Sequence, residues 1–215
     1  MEWNLSSAGP PPKQSWPLRL ADRGTALRLP WLLGALAVGL LAQRVTQTIL
    51  DTFYARSGYP VPYYEGQLTF SAAKLAGWYT AMQRNGTLGV YGQTQVVDFG
   101  FILSTGLLFT AVLLLVARAV PAGGTARRLA LALVWLGPVV AVLDVVENLI
   151  SFVLLADPTS VSQPLALIYS TVAALKFTGF LAVYTWTFAG LVTAAVLRLH
   201  RRRAGQRHRY ELDPL

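Results

Sequence analysis

Two stretches of the chain, Phe99 to Ala117 and Phe177 to Leu197, contain no charged residue at all. A helix needs about 20 mainly apolar residues to cross a hydrocarbon core about 30 Å thick, and each stretch meets that length by itself. Two further runs are apolar but interrupted. Leu29 to Ala42 gives way to Gln43 and Arg44 before Val45, Ile49 and Leu50 resume the pattern, and Leu129 to Leu143 is followed by Asp144, Glu147 and Asn148, then by Leu149 to Ala156. Reading only two or three spans leaves a long apolar run in water. The expected fold is therefore all-α, a four-transmembrane-helix bundle with spans at about 29–50, 96–118, 128–155 and 165–198. Charged residues make up only 13% of the chain and hydrophobic ones 54%, about half the charged share of a soluble domain.

Direction follows from the basic residues, which favour the cytoplasmic side of short loops. Lys13, Arg19, Arg23 and Arg28 precede the first span; Arg118, Arg127 and Arg128 lie between the second and third; Arg198, Arg201, Arg202, Arg203, Arg207 and Arg209 follow the fourth. Thirteen of the eighteen basic residues thus fall on one side, against Arg56, Lys74 and Arg84 on the other. Both termini are expected in the cytoplasm: residues 1–28 as a polar, proline-rich tail without a cleavable signal peptide, and 199–215 as a basic tail. The net charge of +8 comes from these ends and one connection, which argues against a nucleic-acid partner. The basic tail suits anionic lipid instead.

The long outer loop has its own organisation. Gly58-Tyr59-Pro60-Val61-Pro62 reads as turn or extended chain, and Thr69 is a plausible cap for an amphipathic helix over about 70–84 that ends before Asn85-Gly86. Ala72, Leu75, Trp78, Tyr79 and Met82 share one face of it. Such a helix either anchors at the outer interface or covers the mouth of the bundle as a lid.

Within the spans the polar residues gather toward the outer ends. Arg44, Gln47, Asp51 and Tyr54 form one helical stripe; Tyr91, Gln95 and Asp98 form a second; Asp144, Glu147, Asn148 and Ser151 a third; Lys176 stands in the fourth span with Tyr169 two turns earlier. Charged groups facing lipid cost about 2.5–3.5 kcal/mol at the bilayer centre, so these stripes should face one another or a wet cavity. One reading is a structural brace, an ion-pair network of Arg44 and Lys176 against Asp98, Asp144 and Glu147. The other is an outward-facing site for a small apolar ligand, a lipid or a partner membrane helix. An enzyme using Asp144 or Glu147 as acid or base is an alternative, as is a proton- or cation-coupled transport subunit. The chain has no cysteine, and both histidines, His200 and His208, lie in the basic tail. No metal centre or cofactor is expected, and Lys176 stands where a dication would have to sit. Pro138 should kink the third span, and Ala35 with Gly39 gives a small-xxx-small spacing that is weak support for a dimer.

Gly86, Tyr91, Gln95-Val96-Val97-Asp98, Asp144-Val145-Val146-Glu147-Asn148 and Lys176 together resemble a family of small, uncharacterised four-span bacterial membrane proteins with a Q-x-x-D, D-x-x-E-N and Lys pattern. The resemblance covers about residues 29–198 and implies a bacterial inner membrane, but no activity. More distantly, Trp78-Tyr79 after a Tyr-Pro-rich loop is similar to part of the sterol-isomerase and sigma-2-receptor-like group, which implies the enzyme or ligand-binding alternative. The Asp-Pro of that group is replaced here by Thr80-Ala81-Met82-Gln83.

Overall fold

The computed structural model describes residues 15–212, with side chains to residue 200. Lys13 and the side chains of Arg201, Arg202, Arg203, Arg207, His208 and Arg209 lie outside the described residues. In chain order the helices are α1 Trp16–Thr25, α2 Leu29–Ser57, α3 Tyr63–Gln67, α4 Ala72–Arg84, α5 Leu88–Ala119, α6 Gly124–Leu133, α7 Leu136–Ala156 and α8 Gln163–Leu212. No strand occurs among the described residues. Four helical segments are long and apolar enough to cross a membrane: Leu29–Ser57, Leu88–Ala119, the α6–α7 pair Gly124–Ala156, and Gln163–His200.

The helices outrun the expected spans because their polar ends remain helical. Gly58, at φ 63°, stops α2 in the left-handed conformation that glycine adopts without a Cβ clash. The third long segment is broken at 134–135 rather than smoothly kinked. Pro138 has no N–H to give the Val134 carbonyl, which takes the Gly137 N–H at 3.4 Å instead.

Small residues set how closely the helices approach. Gly39 on α2 lies against the α5 backbone, where a Cβ would stand 2.9 Å from Leu108 N. The small-residue face of α2 is therefore occupied within the chain. Near it Thr46 Oγ1 and Ser104 Oγ are 3.1 Å apart. Gly137 does the same for α7, since a Cβ there would lie 2.8 Å from Thr110 N. An apolar core of Phe109, Leu113, Ala117, Val140 and Val183 fills the half of the bundle nearer α1. A second, tyrosine-rich core fills the half beneath α4.

Helix α1 was expected to be tail. It is instead strapped across one end of the bundle. Arg127 pairs with Asp22 at 2.7 Å and donates to the Ala117 carbonyl, while Arg118 donates to the Thr25 carbonyl at 2.8 Å. These arginines cap carbonyls at helix C-termini, where a cation is favoured. Trp135 Nε1 donates to the Pro17 carbonyl at 3.2 Å, and the Trp16 and Trp135 rings meet edge to face.

At the opposite end, α4 buries Ala72, Leu75, Tyr79 and Met82 against α5 and α8. Its cap is Ser71, whose hydroxyl accepts from the Lys74 N–H, and not Thr69. A short α3, which the sequence did not disclose, precedes it. The connection is pinned by Gln163 at the start of α8: its amide donates to the Phe70 carbonyl at 2.8 Å and accepts from the Ala72 N–H at 3.0 Å. Ser170 accepts the Phe70 N–H at 3.0 Å, and Phe70 itself is held at φ 52°.

Candidate functional site

Asp144, Glu147, Asn148 and Ser151 recur on one face of α7, and all four are buried. Lys176 meets them from α8. Its Nζ lies 3.0 Å from Asp144 Oδ1, pairs also with Glu147 Oε2, and reaches Gln67 Oε1 on α3 at 3.5 Å. Three partners match the three donors of an ammonium group. Asn148 Nδ2 donates to the Gln95 carbonyl at 2.8 Å, which ties α7 to α5. Tyr169 brings its hydroxyl to Glu147. Removing two acids and a base from water costs several kcal/mol per ion, and only close mutual pairing offsets it.

Above this pair the rings of Tyr54, Tyr59, Tyr79 and Tyr91 cluster, with Tyr59 and Tyr91 stacked at 4.9 Å and Trp78 at 5.8 Å from Tyr59. Burial, reinforced by neighbouring tyrosines and acidic groups, raises the pKa of the Tyr59 and Tyr79 phenols, so both stay neutral in ordinary buffers. The Tyr79 hydroxyl, Asn148 Oδ1 and Ser151 Oγ are buried without a hydrogen-bond partner among the described residues.

Beside the ion pair lies a cavity of about 450 Å³. It exists because α2 packs chiefly on α5, while α8 packs chiefly on α7, leaving α2 and α8 barely in contact. Gln43, Gln47, Asp51 and Tyr54 of α2 form one wall; Gln95, Asp98 and Phe101 of α5 form the back. The other wall is α8, running from Lys176 through Phe177 and Phe180 to Leu181 and Tyr184. Two turns, about 12 Å at 1.5 Å per residue, separate Lys176 from Tyr184. The cavity is thus polar toward α3 and α4 and apolar toward the middle of the bundle. Leu181 and Tyr184 are 66% and 63% exposed while lining it, so the gap between α2 and α8 is open sideways.

No family profile, curated protein or solved structure matches the chain. Function must be argued from the site itself.

The residues picked out in the sequence separate into three groups. Asp144, Glu147 and Lys176 form the buried pair, with Asn148, Ser151 and Tyr169 packed around it. Asp98, Gln95, Gln47 and Tyr91 line the cavity, where Gln47 donates to Asp51 at 2.7 Å and Asp98 makes no ion pair among the described residues. Arg44 does not join the expected network. It is exposed, and among the described residues its side chain has no ion pair or hydrogen bond. Gln43, Gln47 and Asp51 line the cavity, and Arg44 lies at the margin of that face, about 20° beyond the bearing of Asp51, with its side chain exposed. Glu147 does not line the cavity either, whereas Asp144 does. Among the described residues no three His, Asp or Glu side chains converge as metal ligands.

Sequence reasoning missed Gln67, Gln163 and the apolar end of the cavity. A signal for the last was present: Lys176, Phe180 and Tyr184 recur every fourth residue along one face of α8. Gln67 and Gln163 carried none, since neither belongs to a periodic pattern.

Proposed function

We propose that this chain is a multi-pass membrane protein, set in a bacterial inner membrane, that binds an amphipathic small molecule or lipid in the cavity between α2 and α8. The α4 end faces outward as a cover, and both termini and the 120–123 connection lie in the cytoplasm. The thirteen-to-three division of loop and tail basic residues supports that orientation.

One observation carries the binding reading. The cavity is polar at Asp98, Asp144 and Lys176, apolar at Phe180, Leu181 and Tyr184, and open sideways. In the proposed orientation Asp98 borders the uncharged run Phe99–Ala117, hence the edge of the hydrocarbon. The polar end then stands at headgroup level and the apolar end within the outer leaflet. A lipid-like molecule could slide in with its head and tail at their natural depths, without crossing water. Concave sites with a few convergent polar groups are the usual form of small-molecule sites. The apolar core of Phe109, Leu113, Val140 and Val183 beyond the cavity weighs against a transport path. Acid–base chemistry would fall to Asp144 or Asp98, because Glu147 lies behind the cavity wall.

The test is photocrosslinking in lipid nanodiscs with a diazirine-bearing single-chain lipid. Adducts should concentrate on peptides containing residues 43–54 and 176–184, and an excess of unlabelled chain should compete them away. Labelling spread evenly over exposed faces such as Leu40, Leu103 and Phe188, without competition, would contradict the proposal.

A further inference from the structure

The charges around the cavity do not balance. Asp51, Asp98 and Asp144 line it, with Glu147 immediately behind, against a single lining base, Lys176. That ammonium is already held by Asp144 and Glu147 together. Among the described residues Asp98 is therefore a cavity-lining carboxyl without an ion pair, and Arg44 of α2 is exposed and does not line the cavity.

A second observation is independent of charge. Gln95 is only 8% exposed and lines the cavity one turn from Asp98, yet its side-chain amide has no hydrogen-bond partner among the described residues. The residue is buried but its amide stays open to the cavity, so whatever fills the cavity, and not the protein, is what it meets. Both of its functions, a carbonyl acceptor and an NH2 donor, are available to a ligand. Tyr54 and Tyr91 line the same end, while the Phe177 ring there already carries the Lys176 ammonium at 5.0 Å. Such rings attract cations through their quadrupole.

Resting on the binding reading above, we infer that the cavity selects an amphiphile whose head is a protonated amine, seated between Asp98 and the side-chain amide oxygen of Gln95, with its apolar chain running past Phe180 toward Tyr184. An anionic head would meet an excess of carboxylates with no free base. A hydroxylated head can hydrogen-bond to the same oxygens but leaves the charge imbalance untouched. An ammonium head satisfies both deficits at once.

The experiment compares three probes with the same chain: dodecylamine, dodecyl glucoside and dodecanoate. Saturable binding is measured by native mass spectrometry on the full-length protein in phosphatidylcholine nanodiscs. Wild type should hold the amine at least about tenfold more tightly than the glucoside, the factor that one modest charge-assisted contact supplies, with dodecanoate weakest. Asp98→Asn should erase the preference for the amine while the glucoside is unaffected, its thermal midpoint being recorded to confirm folding. Leu181→Trp, which fills the apolar end, should weaken all chains alike. Equal binding of amine and glucoside, both lost in Leu181→Trp, would overturn the amine head and leave the cavity reading standing. An amine preference that survives Asp98→Asn would overturn the assigned seat. Saturable binding of none of the three would overturn both.

Discussion

Lys176 holds two carboxylates with one ammonium, and that ratio governs what substitution there does. Lys176→Met leaves Asp144 and Glu147 buried 3% and 2% exposed with no counter-charge, and should cost about 3–5 kcal/mol. Adding Glu147→Gln should return part of the loss, and Asp144→Asn as well should return more, because each removes an uncompensated charge. Thermal unfolding in detergent checks this; strictly additive effects would mean that the three residues do not act as a unit. Arg44→Gln should stay within about 0.5 kcal/mol of wild type, since its exposed side chain pairs with nothing described. The contrast marks what was legible at this scale. Spacing along α7 and the lone lysine in an apolar run identify the buried pair, because burying any of them without the others is prohibitive. Arg44 lay on an equally regular stripe, whose other members Gln47, Asp51 and Tyr54 do line the cavity, but spacing does not say which member is left at the margin. Which side of α2 turns inward is decided by Gly39 closing on Leu108, a tertiary contact.

Single glycines and one glutamine decide how the elements sit. Gly39→Leu and Gly137→Leu would each drive a side chain into neighbouring backbone, and both should lower the thermal midpoint by an amount equivalent to about 1–3 kcal/mol, the usual cost of overpacking. Gln163→Leu is a subtler change. It removes both hydrogen bonds that pin Phe70 and Ala72, so amide exchange across 68–86 should quicken while α5 and α7 keep their protection. Unchanged exchange in that segment would show that the buried face of α4 holds it unaided. The apolar face of α4 was readable because Ala72, Leu75, Tyr79 and Met82 keep a helical period. The true cap was not, since Thr69 and Ser71 are chemically alike and only the backbone turn at Phe70 chooses between them. Helix α1 was hidden by its length: ten residues with three charges read as tail until Arg118 and Arg127 are seen to reach across to it.

For the molecule as a whole, four long apolar helices were the most secure reading, because nothing in water covers that much hydrocarbon. The sideways gap was not readable. It arises from which helices pack on which, α2 on α5 and α7 on α8, and hydropathy is blind to that pairing. The proposed orientation has a direct test. In the cysteine-free chain, single cysteines placed at positions 123 and 160 should differ toward a membrane-impermeant maleimide in intact cells: position 160 reacts, and position 123 reacts only after lysis. Labelling at 123 without lysis would reverse the orientation, and would move the polar end of the cavity to the cytoplasmic leaflet.

The last helix also has a mechanical meaning. At 50 residues α8 is a rod about 75 Å long, continuous from Gln163 at the cover to Leu212. One stretch of it is the cavity wall, and 28 residues separate Tyr184 from Leu212, about 42 Å of lever arm. If that arm stays straight, a tilt of about 5° at the wall moves its far end by about 4 Å, a displacement comparable to a helix turn. In the proposed reading, a ligand that tilts the wall would thereby displace residues 201–212 through the backbone of a single helix.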